Sequence, residues 1–174
     1  MDKIRVGIVG TGYIGNVHGR IFSRDDRVEI AALYDIIPER AEQTAKTIGG
    51  TVCGSRDELL ENCDAVLVCA PNKTHKEIAL HAIAEGKHVF CEKPLADTAA
   101  EAKELAAIAR AKGVITRVGH AFPRNPVHDL AKEIIDAGEI GEVKMFHGCQ
   151  HIDVFGDPAA PFMWRADGEL APTG

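Results

Sequence analysis

Near its start the chain reads Ile4-Arg5-Val6-Gly7-Ile8-Val9-Gly10-Thr11-Gly12-Tyr13-Ile14-Gly15, and this stretch decides the fold. Residues 4–9 predict a β-strand, and residues 13–24 predict a helix. Between them lies a G-x-G-x-x-G motif, whose glycines permit a tight turn, an approach of the backbone to a pyrophosphate, and close packing of helix on strand. The unpaired N–H groups at the start of such a helix favour an anion. The stretch therefore predicts a dinucleotide-binding turn, with a plain strand-to-helix turn as the alternative.

Asp35 strengthens this interpretation, because it lies 20 residues after Gly15 at the end of a second predicted strand, Val28–Tyr34. A carboxylate in that place can accept hydrogen bonds from both hydroxyls of the adenosine ribose, and it repels a 2′-phosphate. We therefore expect NAD as the cofactor rather than NADP. Arg40, one helical turn further on, keeps NADP open as the less favoured choice.

Short apolar runs alternate with longer helical stretches through residues 1–120. Further strands are predicted at 51–53, 65–70, 87–91 and 114–118. Further helices are predicted at Pro38–Ile48, 74–85 and 97–112, with a capping box that begins at Ser55. This alternation with short connections predicts an α/β fold, a Rossmann-type doubly wound parallel sheet.

The pattern changes after residue 120. A helix is predicted over 126–137, a turn over 138–141 and a strand over 142–152, and the remainder reads as loop. We predict a dinucleotide-binding domain at residues 1–120 and the truncated start of a second, α+β domain at residues 121–174. The apolar strand over 142–152 would be an unpaired edge, so we expect the 174-residue chain to associate or aggregate through it.

Composition excludes several classes of protein. Apolar residues make up 45% of the chain, which argues against disorder, and the net charge of −6 without a basic tract argues against nucleic acid as a partner. The apolar runs are of strand length, and no secretory signal pattern opens the chain, so we expect neither a membrane span nor export. Five cysteines without a C-x-x-C pair, and scattered histidines, predict a cytoplasmic protein with reduced thiols and no metal site.

Two more motifs follow predicted strands at their carboxyl ends, where doubly wound sheets bind ligands. Ala70-Pro71-Asn72-Lys73-Thr74-His75 offers the Asn72 amide to a ribose or amide group, and His75 suits a site residue or a surface histidine equally. Cys91-Glu92-Lys93-Pro94 follows the next strand. Lys93 beside a hydride-transfer site can donate to a substrate oxygen and assist proton transfer. A solvated loop lysine is the alternative.

Taken together, these motifs resemble the N-terminal half of the glucose–fructose oxidoreductase/inositol dehydrogenase family, often called Gfo/Idh/MocA. The combination of Glu-Lys-Pro with Pro-Asn-x-x-His is more specific to that family than the glycine motif, and the resemblance covers essentially the whole chain. The matching elements are residues 10–15, Asp35, Ala70-Pro71-Asn72-x-x-His75, Glu92-Lys93-Pro94-Leu95, Gly119-His120, Arg124, residues 138–143, Trp164-Arg165 and Pro172-Thr173-Gly174.

The resemblance implies an NAD(P)-dependent oxidoreductase that transfers a hydride between the nicotinamide and a secondary alcohol of a sugar, cyclitol or related polyol. It implies that Lys93 is the catalytic lysine and that full-length members form homo-oligomers. His120, Trp164 and Arg165 would line the substrate pocket, with a structural Trp–Arg stack as the alternative for the last two. The implied cofactor-binding residues are Gly10, Gly12, Tyr13, Ile14, Asp35, Ala70, Asn72, His75 and Glu92.

The sequence departs from the family pattern at its end. It stops at Gly174, before the Gly-x-x-x-Asp-x-x-x-His segment through which the family supplies an Asp and the proton-shuttling His. We therefore expect these residues to bind a dinucleotide but to turn over substrate poorly. Two alternatives stay open. One is a non-catalytic dinucleotide-binding fragment or sensor, and the other is NAD-dependent glycoside cleavage, in which transient oxidation assists elimination.

Overall fold

A computed structural model of the chain describes residues 2–120, 125–149, 151 and 168–169. Parallel strands form a six-stranded sheet in the order β3-β2-β1-β4-β5-β6. This is the strand order of the doubly wound dinucleotide-binding fold, so the predicted Rossmann-type sheet is confirmed. The strands are β1 (Ile4–Val9), β2 (Val28–Tyr34), β3 (Thr51–Val52), β4 (Ala65–Val68), β5 (His88–Cys91) and β6 (Thr116–Val118).

Helices connect the strands and begin close to the predicted positions. Ser55 caps α3 as its capping-box pattern indicates, because its hydroxyl accepts the Glu58 N–H at 3.1 Å. No helix in the described part of the chain is both long enough and apolar enough to cross a bilayer. The helices are α1 (Tyr13–Phe22), α2 (Pro38–Ile48), α3 (Arg56–Glu61), α4 (His75–Ala84), α5 (Ala99–Lys112) and α6 (Pro126–Asp136), and a 3₁₀ turn spans Asn72–Thr74.

The hydrophobic core lies on both faces of the sheet, and β4 shows why. Val66 and Val68 belong to the cluster on one face, whereas Leu67 between them belongs to the cluster on the other. All three side chains are buried, as the continuous apolar run predicts for a central parallel strand. Each buried aliphatic side chain contributes about 1.5–3 kcal/mol to stability.

The cysteine at the end of β5 also belongs to the core. Burial raises the pKa of the Cys91 thiol to about 12, so this cysteine is a core residue rather than a nucleophile.

The chain divides into two compact units, the second of which begins at His120. In this second unit Asn125 caps α6 by accepting the Val127 N–H at 3.0 Å. The strand predicted over 142–152 is not formed in residues 142–149, which have no regular secondary structure. A strand is stabilised by hydrogen bonds to a neighbouring strand, and residues 125–149 of this unit contain none to pair with it. The domain boundary after residue 120 stays a prediction.

Candidate functional site

The turn between β1 and α1 is shaped by close backbone contacts. Gly10 has a φ of 90°, and a Cβ there would lie 2.7 Å from the Cys69 carbonyl oxygen. A Cβ on Gly15 would lie 2.0 Å from the Gly10 oxygen, so both positions require glycine. A Cβ on Gly12, in contrast, would meet nothing within 4 Å. The backbone at Gly12 is thus open to a ligand, as a phosphate-binding turn requires.

The start of α1 is suited to an anion. No side chain caps the helix at Gly12, and its first turn carries no acidic residue. The N–H groups of this turn are therefore free of the side-chain acceptors that satisfy other helix starts in the chain, such as Ser55 and Thr98. The open backbone, the uncapped N-terminus and the requirement for glycine together fit the pyrophosphate of a dinucleotide.

Asp35 is fixed against this turn by its own hydrogen bonds. Its Oδ2 accepts the N–H of Thr11 at 2.7 Å and the Thr11 hydroxyl at 3.0 Å, and its Oδ1 accepts the Ile37 N–H at 3.0 Å. A carboxylate has about four acceptor positions, so the protein occupies three of them. The remaining acceptor position is on Oδ1. The part played by Thr11 was missed from the sequence, since a threonine in a variable position of the motif gives no signal.

A second support of the turn also escaped the sequence analysis. The Asn16 amide nitrogen donates to the Thr11 carbonyl at 2.6 Å and to the Gly12 carbonyl at 3.1 Å. Its oxygen accepts the hydroxyl of Thr44, a residue of α2 that is 2% exposed. Asn16 therefore joins the turn to α2 and holds the Gly12 backbone in place.

The loop after β4 carries the Ala70-Pro71-Asn72-x-x-His75 motif. Asn72 is buried at the start of the 3₁₀ turn, and His75 is 1% exposed at the start of α4. His75 Nε2 lies 2.8 Å from the Ala70 carbonyl oxygen, and Nδ1 lies 2.6 Å from the Pro94 carbonyl oxygen. His75 is thus an interior residue that joins the loops after β4 and β5. Its predicted contact with a cofactor stays a prediction.

The loop after β5 holds a buried carboxylate beside an exposed lysine. Glu92 is 8% exposed; its Oε1 lies 2.8 Å from His18 Nε2, and its Oε2 accepts the N–H of Lys93 at 3.2 Å. Burial raises the pKa of Glu92. The hydrogen bonds from His18 and from the Lys93 N–H lower it, as do the charges of both side chains. Together these contacts outweigh burial and hold the pKa of Glu92 below its usual value of 4.5. The Lys93 side chain is exposed, and the Lys93–Pro94 peptide bond is cis.

The sheet brings these loops together at one edge. The strands β2, β1, β4 and β5 are neighbours and run parallel, so the loops that follow them emerge at the same carboxyl edge. Hydrogen bonds continue the ladder past the strand ends: Gly10 N–H donates to Tyr34 O at 2.8 Å, Cys69 N–H to Val9 O at 2.8 Å, and Glu92 N–H to Val68 O at 2.9 Å. The strand order reverses between β1 and β4, which is where such folds bind ligands.

The residues expected to line the substrate pocket are His120, Trp164 and Arg165. His120 is the first residue of the second unit and is exposed. Trp164 and Arg165 fall outside the described residues. In the described ranges, no three His, Cys, Asp or Glu side chains come together as metal ligands.

Comparison with known proteins agrees with this geometry. A family model described as an oxidoreductase family with an NAD-binding Rossmann fold matches residues 4–120. An inositol 2-dehydrogenase of Ralstonia nicotianae is 37% identical over 85% of this chain and 45% of its own length. The chain spans less than half the length of the curated relatives it matches.

Two solved structures share the fold and hold a nicotinamide dinucleotide. GenD2 from gentamicin A biosynthesis, in complex with NAD, matches with a TM-score of 0.77 and 32% identity over 80% of this chain and 40% of its own. KijD10, a 3-ketoreductase from Actinomadura kijaniata in complex with NADP and TDP-benzene, matches with a TM-score of 0.76 and 31% identity over 81% of this chain and 44% of its own. The sheet topology, the glycine turn and the family match over residues 4–120 together show that the chain belongs to the Gfo/Idh/MocA family of oxidoreductases with an NAD-binding Rossmann fold.

Proposed function

We propose that the protein is a dehydrogenase that transfers a hydride between a nicotinamide dinucleotide and a secondary alcohol of a sugar, cyclitol or related polyol. The observation that carries the proposal is the convergence of the glycine turn, Asp35, Asn72 and Lys93 at one edge of the sheet. A binding module needs the first three, but it has no use for an exposed lysine side chain at that edge. The family relatives named as inositol dehydrogenases support a polyol as the substrate class.

In this proposal each loop has its own task. The bound dinucleotide would supply the hydride acceptor. Gly12 and the first turn of α1 hold its pyrophosphate, and Asp35 accepts a hydroxyl of its adenosine ribose. Oxidation of the alcohol would pass a hydride from its carbon to the nicotinamide and release its hydroxyl proton to water. Lys93 donates a hydrogen bond to that oxygen and stabilises the negative charge that develops on it.

The choice between NAD and NADP follows from the charge at Asp35. Three protein hydrogen bonds hold its carboxylate in place, so it is not free to turn away from a 2′-phosphate. Like charges brought together at a binding site cost several kcal/mol. We therefore propose NAD as the preferred cofactor, although relatives hold either dinucleotide.

The experiment that tests this function combines dinucleotide binding with turnover. NADH and NADPH are titrated against the purified protein by nicotinamide fluorescence, and NAD reduction is followed with a panel of cyclitols and sugars. We expect NADH to bind more tightly than NADPH, and Lys93→Ala to lower turnover at least tenfold while Lys46→Ala, an exposed lysine of α2, does not. In a chain that also carries the family's Gly-x-x-x-Asp-x-x-x-His segment, dinucleotide binding without reduction of NAD by any polyol would favour the non-catalytic binding module instead.

A further inference from the structure

A histidine of the dinucleotide-binding helix reaches the loop that carries the lysine. His18 lies in α1, one turn beyond Gly15, and its Nε2 is 2.8 Å from Oε1 of Glu92. The two side chains are only 18% and 11% exposed, so water screens this contact weakly. The contact joins residues 74 positions apart in the sequence.

The surroundings of this pair fix both partners. Phe90 and Glu92 are two residues apart along β5 and its extension, so they face the same side of the sheet, toward α1. The Phe90 ring meets the His18 ring edge to face, with centroids 5.1 Å apart and planes at 65°. On another side, a Cβ at Gly119 would lie 2.6 Å from Glu92 Oε1, so a glycine is needed there to leave room for the carboxylate.

Glu92 therefore stands between His18 and Lys93. Its Oε1 is taken by His18, its Oε2 accepts the backbone N–H of Lys93, and its charge interacts with the Lys93 ammonium. A carboxylate without the first contact would be available to the ammonium group. The ammonium group of Lys93 would then be directed toward the carboxylate and away from a substrate.

We propose that His18 is a positioning residue for Lys93: by holding Glu92 against α1, it keeps the carboxylate from pairing with the lysine ammonium group. The inference rests on the proposed function for the importance of Lys93 in turnover, but its chemistry can be measured without substrate. It also links the helix that begins at the dinucleotide turn to the loop that carries the lysine.

The test is the acylation rate of Lys93 by acetic anhydride in the intact chain, read by mass spectrometry with exposed Lys46 as the internal reference. In His18→Ala the freed carboxylate pairs with the Lys93 ammonium group, and the rate falls about threefold. In Glu92→Gln the negative charge is removed, and the rate rises about threefold. Loss of structure alone does not move one residue's rate in opposite directions in two variants.

His81→Ala is the matched control, because His81, in the last turn of α4, also pairs with a carboxylate: its Nε2 lies 3.1 Å from Asp57 Oδ1. We expect it to leave the Lys93 rate unchanged. A Lys93 rate in folded His18→Ala equal to that of the wild type would overturn the proposal. Should His18→Ala not fold, an unchanged rate in Glu92→Gln would overturn it as well.

The outcome separates this inference from the proposed function. Opposite changes in the two variants, together with full turnover in Lys93→Ala, would support the positioning role and refute Lys93 as a catalytic residue. Unchanged acylation rates, together with a large loss of turnover in Lys93→Ala, would refute the positioning role of His18 and support Lys93 as a catalytic residue.

Discussion

The carboxylate of Asp35 accepts two hydrogen bonds from Thr11, one from its N–H at 2.7 Å and one from its hydroxyl at 3.0 Å. These bonds tie the end of β2 to the dinucleotide turn. In the proposed function, they also fix the carboxylate at the place where a 2′-phosphate would lie. Discrimination between the two dinucleotides should therefore depend on this one residue.

Asp35→Asn removes that charge with little change in shape. We expect the ratio of the NADPH and NADH dissociation constants, measured by nicotinamide fluorescence, to fall about tenfold because the repulsion of the 2′-phosphate is lost. Asp26→Asn, an exposed position before β2, serves as the control and should keep the wild-type ratio. An unchanged ratio in Asp35→Asn would show that another residue sets cofactor preference.

Substitution of two glycines in the turn should affect folding stability and NADH binding differently. Gly15→Ala places a methyl group 2.0 Å from the Gly10 oxygen, so we expect it to lower the free energy of unfolding by at least about 3 kcal/mol. Gly12→Ala meets no atom within 4 Å and should cost less than about 1 kcal/mol. It should still weaken NADH binding, because its methyl group lies in the path of the pyrophosphate. Urea unfolding and NADH titration of both variants check this, and undiminished NADH binding by Gly12→Ala would contradict it.

Thr44 should support the turn from a distance. Thr44→Val removes the hydroxyl that donates to Asn16, and we expect a loss of about 1–2 kcal/mol in the free energy of unfolding and weaker NADH binding. The control on the same helix is Thr47→Val, whose exposed hydroxyl only contacts the Gln43 carbonyl. Equal stabilities for the two variants would mean that the Thr44–Asn16 contact does not hold the turn.

The Glu92 carboxylate should make stability depend on pH in acid. Its pKa is lower in the folded chain than its usual value of 4.5, so the ionised group contributes stability above that pH, and the contribution disappears as the pH falls through the folded-state value. Glu92→Gln has no such titration. Its free energy of unfolding should therefore change less than that of the wild type between about pH 6 and pH 3.

Urea unfolding across that pH range measures the difference. Glu61→Gln, an exposed carboxylate at the end of α3, should follow the wild type throughout. Parallel pH profiles for Glu92→Gln and the wild type would indicate that the His18–Glu92 pair contributes nothing to folding.

Much of the fold could be predicted because it depends on local patterns. β4 is buried on both faces, so its residues form an unbroken apolar run, and the glycine motif needs only its neighbours in sequence to form a turn. The prediction of a strand over 142–152 was wrong in residues 142–149, because a strand does not depend on local patterns alone. Its apolar residues give a strand pattern, but a strand also needs a partner.

The supports of the site could not be predicted because they join distant residues. Thr11 meets Asp35 across 24 positions, Asn16 meets Thr44 across 28, and His18 meets Glu92 across 74. The sequence pattern around a polar residue inside a helix does not identify the residue that its side chain contacts. The residues that we propose to contact ligand come from motifs, whereas the residues that hold them in place became visible only once the sheet was assembled.

The measurement that tests the central claim most directly is the titration of NADH against the purified chain by nicotinamide fluorescence, with Gly12→Ala beside it. We expect saturable binding with one dinucleotide per chain, and weaker binding by the variant, since the proposed site lies at the turn between β1 and α1. A folded chain that gives no saturable binding, or the same affinity in both proteins, would contradict the assignment of this edge of the sheet as a dinucleotide site.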